Sequence, residues 1–493
     1  VYTLLPAHYA LLPDAYAVKL DTGIKDVMPG QAYTRQDGVR IAAGYVTDTR
    51  AGAPRDARWQ GVEVLTHEQV RARSEFTLTK ASQFFADGRN RPQDAGLLSV
   101  ATTGSGAGAL KLDAIYNFAP AAGGRGAGVD ISSRKLAVVS GAPSGIDPDA
   151  VQLDAGRLNA MGANSLFIGG TRTRTGTTTL VVGADAVTLA NNAATPLSAG
   201  EVILAAKDTL TLKAGSAIDA QGAAGDAGQI ETPGNGAFVR AASTSATFNR
   251  TGNPDRSQGT LVGQADSTIT AADSITLDAT KDNAYEGTTV FSKNGQTVAG
   301  RLATGATRIN FGAAPSGSEG LTYGQAELDA MNLAGLTLTS YSTFDFYGDV
   351  NVGALDVNGK PLLQHLTLQG AGLAGIDNAG KTAQLNAKNL TLANPNNAAS
   401  FAAGGPLGSG TLAVTADTLA LGAGDKAIKG FGAVSVTANE LVGQGKGGLT
   451  VDAPLTLNVA RIRGEAGSNQ ALRSNAALAV AAHAADRLLA PVT

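Results

Sequence analysis

The feature that most limits how this chain can fold is a short strand signature, two aliphatic residues around a small, usually polar one, returning along most of the sequence from about residue 130. Instances are Val187-Thr188-Leu189, Leu210-Thr211-Leu212, Ile275-Thr276-Leu277, Leu336-Thr337-Leu338, Leu366-Thr367-Leu368, Leu390-Thr391-Leu392 and Leu455-Thr456-Leu457. Each alternates apolar and polar, the period of a half-buried strand. The steps from 187 to 210, 366 to 390, 390 to Leu412-Ala413-Val414 and 412 to Val434-Ser435-Val436 are 23, 24, 22 and 22 residues. A unit this short cannot bury its apolar face alone, and it gains a continuous core only by hydrogen bonding to the unit above and below. The spacing predicts an all-β chain folded as a parallel β-helix solenoid with loops and hairpins outside the coil. About 20 coils at ~4.8 Å would give a rod of roughly 100 Å.

Composition agrees with a solenoid and sets exclusions. Aromatic residues are 5% and charged residues 16%, so Ala, Val, Leu and Ile must build the core and Thr, Ser, Asn and Gly the surface. With no cysteine, disulfides and thiolate metal sites are excluded. A formal net charge of -3 gives no field for nucleic acid, which is not expected as a partner. No apolar run approaches the roughly 18 residues of a membrane-spanning helix.

The signature divides the chain into regions. Residues 1–110, with a Tyr/Leu/Pro-rich start and the sole tryptophan Trp59, read as an irregular N-terminal region docked on or leading into the solenoid. Residues 111–280 read as β-helix carrying a long Gly/Asn-rich insertion near 221–266, which includes Pro233-Gly234-Asn235-Gly236. Residues 281–331 read as a protruding hairpin or insert, because Asn294-Gly295 between Thr289-Val290-Phe291 and Thr297-Val298 is a strong hairpin turn. Residues 332–493 read as β-helix again. Two helices are expected, over His67 to Arg73 and over the Ala-rich Ala471 to Ala490.

Tyr2-Thr3-Leu4-Leu5-Pro6-Ala7-His8-Tyr9-Ala10-Leu11-Leu12-Pro13, Thr343-Phe344-Asp345-Phe346-Tyr347-Gly348-Asp349-Val350 and the Thr-Leu coils together resemble the filamentous haemagglutinin family of large bacterial exoproteins. The resemblance implies a right-handed β-helix, export by two-partner secretion through an outer-membrane transporter, and display on or release from the outer surface of a Gram-negative bacterium. It implies an adhesin, filament or biofilm component with no cofactor. Host or bacterial surface glycans or proteins are the expected ligands, and head-to-tail self-association the expected assembly. The family's N-terminal Asn-Pro-Asn motif does not open this chain. Asn394-Pro395-Asn396 reads as an ordinary turn, so the sequence reads as an interior or C-terminal portion.

Two other functions compete with the non-enzymatic reading: a β-helix polysaccharide lyase or glycosidase, and the stalk of a contact-dependent toxin system. An enzyme would need converging carboxylates, for which Asp345 and Asp349 with His365, or Asp14, Asp21 and Asp26, are the candidates. Turn-forming acidic residues account for both sets. The four histidines are too far apart in sequence for a local metal pair. Gly104 to Gly108 lacks the lysine of a phosphate loop, and Gly123 to Gly128 lacks the aspartate of a calcium nonapeptide. No catalytic, cofactor-binding or metal residues are therefore expected. Phe344, Phe346 and Tyr347 are a candidate exposed binding platform, weighed against a role in filling the interior. Asn249 is the more accessible of two glycosylation sequons, the other being Asn389. Arg172 and Arg174 read as a solvated basic strand face.

Overall fold

The computed structural model describes residues 4–21, 23–24, 27–46, 59–75, 79–84, 93–141, 144–223, 228–395 and 401–485. Strand makes up 53% of the chain and helix 6%, so the fold is all-β. Residues 1–91 and 92–493 form two compact units.

The first unit is a four-stranded antiparallel sheet in the order Tyr16–Asp21, Gln60–Thr66, Arg40–Gly44, Ala32–Thr34. Val39, Ile41 and Leu65 form its small core. The helix His67–Arg73 starts where the sequence places it, because Thr66 and Gln69 make reciprocal side-chain to backbone caps. The irregular region expected over 1–110 is thus regular up to Thr66, and its boundary falls earlier, since Leu97–Ala101 already belongs to the second unit's sheets.

The second unit is built mainly of parallel sheets. A long sheet of fifteen strands receives a strand from nearly every pass of the chain, and sheets of six, five and seven strands receive the others. One pass runs Ser165–Ile168 (long), Ala186–Ala190 (six), Leu197–Ala199 (five), and the next Glu201–Ala206, Thr209–Leu212, Ala217–Ala220 in the same order. Register is strict. Val187 pairs with Leu136 on one side and Leu210 on the other, and Leu302, Leu336, Leu366, Leu390, Leu419 and Leu441 are successive partners in the long sheet. These side chains point into one continuous core. Like residues stack because a one-residue slip would carry every apolar side chain to the opposite face.

Several expectations are corrected here. The 22-residue step from 390 to 412 is not a pass of the chain. Leu412 pairs with Ala383 and Leu390 with Leu419, because Thr382–Ala393 and Gly410–Leu421 are single strands of 12 residues. The expected loop over 221–266 is largely sheet: Gly228–Pro233 and Ala246–Thr251 join a separate four-stranded sheet, and Ala237–Ala242 enters the long sheet antiparallel to both neighbours. Over 281–331 the Asn294-Gly295 turn forms, with φ of 53° and 76°. Its first strand, Thr288–Lys293, nevertheless pairs in parallel with Thr268–Ala271, and Gly300–Ala306 lies within the long sheet, so the region is wall and not protrusion. The expected helix over 471–490 is replaced by the strands Asn469–Ser474 and Leu478–Ala482. Residues 486–490 lie outside the described residues.

Candidate functional site

The outer face of the long sheet carries the most elaborate chemistry in the molecule. Four strands cover part of it in the order Gly170–Thr175, Thr177–Val182, Gly228–Pro233, Ala246–Thr251. The first two form a hairpin turning at Gly176, whose φ of 94° suits glycine. Between cover and sheet lies a separate apolar cluster: Phe167, Ile203, Ala205 and Phe238 from the long sheet against Leu180 and Ile230 from the cover. Phe248 of the cover stacks on Phe238 with centroids 4.2 Å apart.

Around this cluster runs a buried chain of charges. Arg172 Nε lies 2.6 Å from Asp130 Oδ1, and its backbone N–H donates to Asp130 Oδ2 at 2.7 Å. Arg240 Nε donates to Glu201 Oε1 at 2.6 Å, while Ser165 donates to the other Glu201 oxygen at 2.5 Å. At the far end Arg250 Nε donates to Asp278 Oδ2 at 2.6 Å, the Tyr341 hydroxyl donates to Asp278 Oδ1 at 2.7 Å, and Arg250 Nη2 donates to Gly236 O at 2.8 Å. Burial alone would raise the Glu201 carboxyl. Arg240 and Arg172, with the hydrogen bonds from Ser165 and Arg240, reverse this and hold it below its ordinary value. Burial and the neighbouring Asp278 push the Tyr341 phenol well up, so it stays a neutral donor. Arg172 and Arg250 come from the cover, so these pairs fix where it sits.

Beyond the last cover strand the outer face is open, and a trough of about 440 Å³ runs beside Ala246, Thr247 and Phe248. Its floor is small and hydroxylic: Ala303, Gly305, Thr337, Thr339, Thr367 and Gln369, with Arg301 and His365 toward one end. Thr339 donates to Gln369 at 3.2 Å, and Arg301 pairs with Asp273. One carboxylate lines the trough, Asp278, and both its oxygens are engaged by Arg250 and Tyr341. Glycoside hydrolysis usually employs two carboxyl groups about 5–9 Å apart across the sugar. This lining is chemically suited to binding through hydroxyls and amides.

The structure disperses the residues singled out in sequence. Phe344 and Phe346 point into the main core, where Phe346 stacks on Phe311 at 4.9 Å, and Tyr347, on the opposite face, is covered by Phe401 and Ala403. They fill and seal the interior, and the exposed-platform expectation is withdrawn. Asp345 is fully buried, 2.9 Å from Arg308 Nη1 and accepting from the Gly404 N–H, whereas Asp349 is exposed beside Lys381 and His365 lies in a different sheet. That set does not converge. Asp14 is an exposed turn residue with φ of 60°, Asp21 lies 3.6 Å from Arg35, and Asp26 lies outside the described residues. No group of three or more His, Asp or Glu is placed to hold a metal among the described residues. Asn249 is half-buried within the strand Ala246–Thr251 and not in a loop, and Asn389 is the exposed sequon asparagine. Arg172, expected in solvent, is 3% exposed.

The charge chain and cover escaped the sequence reading, although a signal exists. Leu166-Phe167-Ile168, Val202-Ile203-Leu204 and Ala237-Phe238-Val239 are apolar at every position, the mark of strands buried on both faces. Compared with protein-family models, curated proteins and solved structures, the chain matches none.

Proposed function

We propose that the chain is a stretch of a secreted, non-enzymatic surface protein, an adhesin or filament component, built on a right-handed parallel β-helix of the filamentous haemagglutinin kind. The observation that carries this reading is the strict parallel register, in which the same leucine positions stack strand after strand while the chain returns to the same sheets in the same order. Parallel connections of this type are right-handed in nearly all proteins. Such a stack is stiff, and stiffness with reach suits presentation of a binding face away from a cell. The resemblance supplies the rest of the proposal: passage through a two-partner-secretion transporter, location at the outer surface of a Gram-negative bacterium, and recognition of surface glycans or proteins through faces such as the trough. The trough's single, already engaged carboxylate favours binding over glycan cleavage.

Negative-stain electron microscopy of the native protein tests the reading. Rods on the order of 100 Å per chain, singly or joined end to end, are the expected result. Compact particles without a long axis, or release of reducing ends from acidic or neutral polysaccharides by the purified chain, would overturn it.

A further inference from the structure

The five-stranded sheet ends at the hairpin of Thr288–Lys293 and Gln296–Thr297, and the seven-stranded sheet begins with Leu321–Tyr323 beside Ile309–Gly312. At this changeover lies a cavity of about 410 Å³, within the range of small-molecule sites. Its lining is largely apolar, with Phe291, Val298, Leu302, Leu321, Met331 and Leu333 forming most of it. Asn283 also lines it and is 4% exposed. The Asn283 amide nitrogen donates to Leu277 O at 3.3 Å and Gly305 O at 2.9 Å, which fixes the orientation of the carboxamide. Its oxygen has no hydrogen-bond partner among the described residues. A buried acceptor left unmatched is costly, and a donor brought by a ligand would recover that cost.

The other polar groups narrow the ligand. The Tyr323 hydroxyl and Thr304 Oγ1 satisfy each other at 2.8 Å. No lysine, arginine or histidine lines the cavity, so an anion would be desolvated without compensation. The one acid is Glu327, whose carboxyl is pushed up by burial, so these surroundings disfavour charge of either sign. We propose that the cavity binds a small, neutral, mainly apolar molecule carrying one hydroxyl, with the hydroxyl donating to Asn283 Oδ1 and the apolar body packed against Phe291, Leu302 and Leu333. The proposal is independent of the surface role argued above, since it concerns the interior of the wall and not its outer face.

The probes are 2-naphthol and naphthalene, which differ by the hydroxyl alone, titrated against the full chain by fluorescence. The expected result is saturable binding of 2-naphthol about tenfold tighter than of naphthalene. Asn283→Leu should bring the two to within about twofold, and Val298→Trp, which fills the cavity mouth, should weaken both by about tenfold or more. Equal affinity of the probes for the native chain, no saturable binding, or 2-naphthol binding unaffected by Val298→Trp would each overturn the proposal. Should Asn283→Leu fail to fold by its thermal melt, the probe pair on the native chain and Val298→Trp still decide.

Discussion

The long sheet offers an internal comparison between the stretch through Ser274–Ala279, which wears the cover, and the stretch from Gly300–Ala306 onward, which lies beyond it. Their inward residues are interchangeable: Leu166, Val202 and Ile275 in the first play the part of Leu336, Leu366 and Leu390 in the second. Outward the two diverge. Successive partners read Phe167, Ile203, Arg240 and Thr276, then Ala303, Thr337, Thr367 and Thr391. The core determines that strands stack, while the outward row determines whether another layer can settle on them.

The sharpest way to break the contrast is Asp278→Ala, which strands Arg250 beneath the cover. Removal of one partner from a buried pair is expected to cost about 3–5 kcal/mol, read as a lower thermal midpoint and new protease cleavage within residues 228–251. Leu180→Ala empties part of the apolar seam instead, at about 2–4 kcal/mol, with the same cleavage sites exposed. Proton titration separates the stretches further. Because the Glu201 carboxyl is held below its unfolded value, its contribution is complete above about pH 4.5 and is lost as pH falls. Cover protection from protease should therefore fail in acid before the rest of the sheet unfolds.

Beyond the cover the sign reverses. Lys426, buried with its ammonium donating to Gly422 O and Gly424 O, is lowered mainly by burial to about 8. The unfolded chain then binds more protons between that value and 10.5, so stability gains from this residue as pH rises through the window. Lys426→Met should flatten that rise in a denaturant titration. The smallest effect belongs to the bare row, where Thr337→Val and Thr367→Val should each move stability by less than about 0.5 kcal/mol.

Strand identity was legible in the sequence because period-2 alternation reports a face-to-face contrast, and Leu336, Leu366 and Leu390 display it plainly. The helix His67–Arg73 was legible for a local reason, its cap, whereas Ala471 onward was misread because alanine's helix preference is weak against pairing with the preceding strands. The cover was invisible for a different reason. Arg172 alternates with threonines as any exposed strand would, and its partners Asp130 and Glu201 are 42 and 29 residues away, so only the folded topology joins them. Phe344 and Phe346 looked like a cluster because they are adjacent in sequence. Their neighbour in space, Phe311, is what makes them core.

One strand has a consequence of its own. Ala237–Ala242 runs backwards between Glu201–Ala206 and Ser274–Ala279, while at the same level the six- and five-stranded sheets step directly from Thr209–Leu212 to Thr260–Gly263 and from Ala217–Ala220 to Thr268–Ala271. One wall therefore holds an extra row about 4.8 Å wide that the others lack, as an extra half-plane does at a dislocation in a crystal. Growth by simple copying of the previous layer cannot cross such a fault. Everything C-terminal to it in the long sheet takes its register from a reversed template, so the layers on either side can form separately but are aligned only once that strand is in place.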